Sequence, residues 1–220
     1  MATNKDRPEL EAALTSGEVV ADALMRGDVL ADVPIIGTAF KLLKAADNIR
    51  DRAFATKLSR FLLALADISE DARKRLKEKV RNSAEEAKKV GETLLLILDR
   101  ITDLDKPTLL SHLFLAYVDG VVTGDDLRRL TQAVDAAFAD DLQKLLELHR
   151  LPEKSQEPWM QYLAASGLTR IVGGETYEEI GKVFYEVAPL GNRLRTAYFH
   201  GRKLTANPSL QRAPKNSGRR

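Results

Sequence analysis

Eight cations and no acid follow Glu186: Arg193, Arg195, Arg202, Lys203, Arg212, Lys215, Arg219 and Arg220. Such a run attracts phosphate or anionic lipid through counterion release and surface potential, and it equally fits a solvated basic tail with no partner. Arg193, Arg195, Arg202, Lys203 and Arg212 are the expected nucleic-acid or anion contacts. The other reactive groups do not converge. His112, His149 and His200 lie on separate segments, and none sits at metal-ligand spacing from another. His112 is expected on the polar face of a helix, and His149 near a helix C-terminus, where a cation is favoured. In Asp125-Asp126 and Asp140-Asp141 the carboxylates are sequence neighbours, so on a helix they point to different faces and cannot form a catalytic dyad. The absence of cysteine excludes disulfides, thiolate metal sites and cysteine nucleophiles. No dinucleotide fingerprint, phosphate loop or nucleophile elbow is present, and Gly173-Gly174 lacks a following helix N-terminus. The expectation is a protein without catalytic residues or a cofactor.

The elements that position these groups belong to a chain of 220 residues, 44% hydrophobic and 30% charged, which suits one core with a small appendage. The net charge of +2 hides blocks of opposite sign. Residues 1–36 hold 3 basic and 7 acidic residues, 37–90 hold 14 and 8, 91–186 hold 9 and 17, and 187–220 hold 8 and none. The N-terminus has no basic start followed by an apolar core, and the most apolar early stretch, Val29 to Ala46, carries Asp32, Pro34, Lys41 and Lys44. Neither a secretion signal nor a transmembrane segment is expected, which fits a cytoplasmic protein.

Hydrophobic periodicity predicts helices through most of the chain. After the apolar turn Val33–Gly37, Thr38 can cap a helix running to about Ala66, with Phe40, Leu58, Phe61, Leu62 and Leu65 on its buried stripe. Ser69 starts a second helix, whose stripe Leu76, Val80, Ala84, Ala87, Val90, Leu94 and Ile97 continues without interruption and whose opposite face is charged and solvated. Asp105-Lys106-Pro107 opens a third, stopped at Asp119-Gly120. Thr123 caps a fourth that runs through Leu127, Leu130, Val134, Phe138, Leu142, Leu145 and Leu148 to about His149. Past a polar linker at 151–158, the pattern predicts a short helix, a strand at 168–172, a strand at 182–187, and a helix containing Leu194 and Tyr198.

Three resemblances attach to these residues. Tyr162, Leu163, Ser166, Gly167 and Leu168, followed by Tyr185, Val187, Leu190, Gly191 and Leu194, resemble the second half of a winged-helix domain, in which the first helix reads a DNA groove and the hairpin touches the backbone. This chain departs from that pattern at the wing tip, with Glu175, Glu178 and Glu179, and in a helix that has Gln161 but no cation. Asp119 to Leu127 resembles the latter half of an EF-hand loop, although Leu115 and Tyr117 stand where the first carboxylates belong. The same hairpin is similar to TerB-type helical domains, a resemblance that implies divalent-metal binding by Asp119, Asp125 and Asp126; a capped helix hairpin accounts for the same residues without a ligand. Pro34–Thr38 together with Lys57-Leu58 and Phe61-Leu62 resembles small bacterial helical proteins, some of them linked to phage defence. In that apolar turn Ile35, Ile36 and Phe40, flanked by cations, form either a core contact or a membrane or partner surface.

The expected fold is mainly α: an acidic N-terminal segment at 1–28, an antiparallel bundle at 29–150, a helix plus β-hairpin unit at 151–200, and a disordered basic tail at 201–220. The expected function is non-catalytic interaction or regulation, in a bacterial defence or stress setting, with a protein or nucleic acid bound through the basic C-terminal region. The alternative is a TerB-like module sensing a divalent metal or a membrane surface.

Overall fold

The computed structural model describes residues 49–66, 68–174 and 176–205. These form eight α-helices and one two-stranded antiparallel sheet. The order is α1 (Ile49–Ala66), α2 (Glu70–Asn82), α3 (Ala84–Arg100), α4 (Lys106–Val118), α5 (Gly124–Ala136), α6 (Ala139–Glu147), α7 (Pro158–Leu163), β1 (Thr169–Val172), β2 (Phe184–Val187) and α8 (Pro189–Leu204). The mainly helical architecture with a C-terminal hairpin is the one the periodicity predicts. No helix among the described residues is long and apolar enough to cross a membrane.

Local signals set the helix ends. Ser69 caps α2 by accepting from the Ala72 amide at 3.3 Å, with Glu70 and Asp71 in the first turn. Thr123 and Asp126 form a reciprocal capping box at the start of α5, with distances of 3.1 and 3.4 Å. Gly120, at φ 77°, ends α4 in a conformation that a side chain would strain.

Helix α4 is apolar nearly all round, and every residue in it but Thr108 is buried. Such a helix belongs at the centre. Helices α1, α2, α5 and α8 surround it, and one continuous hydrophobic cluster runs from Leu58 to Ala197. Trp159, Met160, Leu163 and Leu168 belong to that cluster, so the helix-and-hairpin segment shares its core with the bundle. In the hairpin Thr169 faces Val187 and Val172 faces Phe184, while Ser155 pairs with Tyr185 on the opposite edge of β2.

Several expectations need correction. The stripe from Leu76 to Ile97 spans two helices, because Ser83 leaves helical geometry at φ −139°, ψ 50° and Ala84 is exposed. That break lets Glu86, in the first turn of α3, accept from the Gly124 amide at 3.1 Å and dock the start of α5. The stripe from Leu127 to Leu148 likewise breaks at Ala137, whose extended backbone leaves Phe138 65% exposed. The tail boundary lies too early: α8 runs to Leu204, Gly201 is buried, and Thr205 pairs with Ile68. The acidic segment 1–28, the turn with Ile35, Ile36 and Phe40, Glu175, and everything from residue 206 on, including Arg212, lie outside the described residues.

Gly201 is where α8 meets the backbone of α4. A Cβ at that position would stand 1.8 Å from the His112 carbonyl oxygen. Gly201→Ala therefore has to push the two helices apart, and the expected loss is about 3 kcal/mol or more, read by urea unfolding. Gly120→Ala, with open space around it, should lose only about 1 kcal/mol, from its positive φ.

Candidate binding cleft

Two cations, Lys106 buried and Arg195 half-buried, hold α6 at its ends. At the near end Lys106, the first residue of α4, donates from Nζ to the carbonyls of Asp135 (3.1 Å) and Ala137 (2.7 Å), where α5 stops and α6 begins. At the far end Arg195 of α8 donates to the carbonyls of Leu145 and Leu148, the latter at 2.7 Å, and stacks over the Phe199 ring. These carbonyls are the acceptors that a helix C-terminus leaves without an intrahelical partner. Burial lowers the pKa of both cations, partly offset at Lys106 by Asp103 and Asp135.

Between these struts α6 stands off from α4, leaving a cleft of about 750 Å³ walled by α4, α6 and α8. Its apolar lining comes from Leu109 on α4, from Leu142 and Leu146 on α6, and from Tyr198 and Phe199 on α8. The α8 wall also carries Arg202 and Lys203, and the α6 wall carries Asp140 and Glu147.

His112 lines the same cleft. Against the expectation of a polar-face residue, it is only 1% exposed, and neither ring nitrogen has a hydrogen-bond partner. The helix that carries it has no polar face, which is why the expectation fails. Tyr198 meets the imidazole edge-on, with ring centroids 5.3 Å apart. Burial first, and then the charge of Arg202, lower the His112 pKa to about 4, so the ring is neutral near pH 7.

The other sequence-derived candidates lie elsewhere or are already engaged. Arg193 pairs with Asp126 across the surface between α8 and α5. Asp119 takes both Arg75 and His200, the latter at 2.5 Å, and Asp125 pairs with Arg128 in its own helix. Asp119, Asp125 and Asp126 thus face different cations, and two of them tether α8. No group of three His, Asp or Glu side chains among the described residues is arranged to hold a metal ion. Of the expected anion contacts, Arg195, Arg202 and Lys203 come together at the cleft, where Arg195 is already bonded to α6.

His112 and the α6 acids were not singled out as a site, yet two signals were present. Lys106 at the first position of a helix has the wrong sign for the macrodipole, a hint that its ammonium reaches another element. His112 is a titratable side chain on a helix that is mostly Leu, Phe, Ala, Tyr and Val. No known family model matches the chain, and neither curated proteins nor solved structures give a match.

The His112 shift fixes a pH dependence. The folded-state pKa lies below the ordinary 6.5, so the unfolded chain binds more protons between about pH 6.5 and 4. Stability from this group is complete above that window and falls by about 3 kcal/mol as the pH drops through it. Urea unfolding of His112→Phe should lack this component, and should match or exceed the wild type in stability near neutral pH because two unpaired buried nitrogens are gone.

Proposed function

We propose that the chain is a non-catalytic binding protein, of interaction or regulatory type, whose recognition site is the cleft between α4, α6 and α8. The observation that supports this most directly is the cleft itself, a cavity of small-molecule size with an apolar bed and charged residues of both signs in its walls. Catalysis is less well supported, since no carboxylate orients the His112 ring.

An apolar fluorophore with one sulfonate, 1-anilinonaphthalene-8-sulfonate, tests the reading. The folded full chain should bind it saturably at a single site. Gln143→Trp, at a half-buried position of α6 that roofs the cleft, should weaken binding about tenfold without changing the circular dichroism. Absence of binding, or equal binding by the variant, removes the cleft as the recognition site.

A second reading rests on the cation run. Lys203 is exposed at the end of α8, and Arg212, Lys215, Arg219 and Arg220 follow it without an acid, a composition that suits nucleic-acid binding. Duplex DNA titrated into the full chain should bind with a logarithmic salt slope of about −0.9 for each phosphate contacted, and a chain that binds no DNA at low salt rules this reading out.

A further inference from the structure

We propose that the cleft takes a zwitterion with an apolar side chain, of α-amino-acid chemistry, its carboxylate held by Arg202 and its ammonium by Glu147. This inference rests on the cleft being the binding site, and it specifies what fills it.

The charge pattern selects this class of ligand. Four cations and three carboxylates line the cleft. Lys106 and Arg195 are already engaged by helix carbonyls, and Asp105 pairs with Arg60 at 3.6 Å. Arg202 and Lys203 on α8 then oppose Asp140 and Glu147 on α6, and none of these four forms an ion pair among the described residues. A ligand of one sign would satisfy one wall and leave the other facing an unmatched or like charge, which is a penalty on binding. A ligand with both signs matches both walls.

Tyr198 locates the head group. It is a half-buried ring of the cleft lining and lies in the fields of both Arg202 and Glu147, so the opposed charges stand near one ring. Glu147 accepts from Gln143 Nε2 at 2.7 Å, and its carboxylate has further lone pairs for an ammonium. Leu109, Leu142 and Leu146 supply the apolar bed on which a side chain would lie.

Competition against the bound fluorophore in the full chain near neutral pH provides the test, with L-phenylalanine, 3-phenylpropionate and phenethylamine as probes. Phenylalanine should displace the fluorophore at about tenfold lower concentration than either singly charged analogue, and should shift the His112 ring resonances in parallel. Arg202→Gln should reduce phenylalanine to the level of phenethylamine, and Glu147→Gln to that of phenylpropionate. Equal competition by either analogue overturns the zwitterion. If the fluorophore binds in a Gln143-dependent way but none of the three displaces it, the zwitterion falls and the cleft stands. If the fluorophore does not bind, both fall. Should a variant lose its fold, the ranking of the three probes on the wild type decides.

Discussion

The close crossing of α4 and α8 governs the arrangement of the other elements. A thirteen-residue helix with one half-exposed position cannot sit at a surface, so it needs neighbours on all sides. Helix α8 supplies one of those neighbours only because Gly201 lets its backbone approach the carbonyl of His112. The same approach sets where the rest of α8 lies. It puts His200 beside Asp119, Arg202 beside the His112 ring, and the last turn against the start of α2, where the Ser69 amide donates to the Leu204 carbonyl at 3.2 Å. The packing constraint and the cleft therefore share one origin.

Long cationic side chains solve a second problem created by this packing. Helices that end in the interior leave carbonyls that water cannot reach. Lys57 reaches the end of α3, donating to the carbonyls of Asp99 at 2.6 Å and Ile101 at 2.9 Å; Lys106 does the same for α5, and Arg195 for α6. In each case the positive charge also meets the negative end of a helix dipole. A hydrogen bond to a charged group contributes about 1.5–3 kcal/mol, more than a neutral one, and that gain is set against the cost of burying the cation. The two struts on α6 have a further consequence, since they fix its ends at a distance and leave the span between them unfilled.

This division explains what the sequence made legible. Helix identity, the caps at Ser69 and Thr123, the stop at Gly120 and the hairpin all follow from neighbours within a few residues, and they are visible in the pattern. The breaks at Ser83 and Ala137 are not, because the apolar spacing continues across them and the reason to break lies in distant partners, Glu86 with Gly124 and Lys106 with Ala137. The cations of α8 were conspicuous as a run, but charge counting cannot tell Arg195, bonded to helix carbonyls, from Lys203, exposed at the rim. Asp119, Asp125 and Asp126 looked like a cluster because they lie close in sequence; in space each is turned to its own cation.

His112, like the Tyr117 hydroxyl and one Asp141 oxygen, carries buried polar atoms that stability alone does not explain. A buried imidazole with neither nitrogen paired destabilises the fold by about 1–3 kcal/mol for each unsatisfied group. At acid pH Arg202 makes the protonated ring less favourable still. An apolar residue of similar volume would pack against Tyr198 without either penalty. Buried polar groups that a fold leaves unsatisfied concentrate where something else is to be bound. The Gly201 crossing meets the backbone of His112, so the close approach of α8 to α4 falls at a residue that also lines the cleft. The same crossing sets where Arg202, the next residue of α8, enters the cleft wall, so one backbone contact positions residues on both helices that line it.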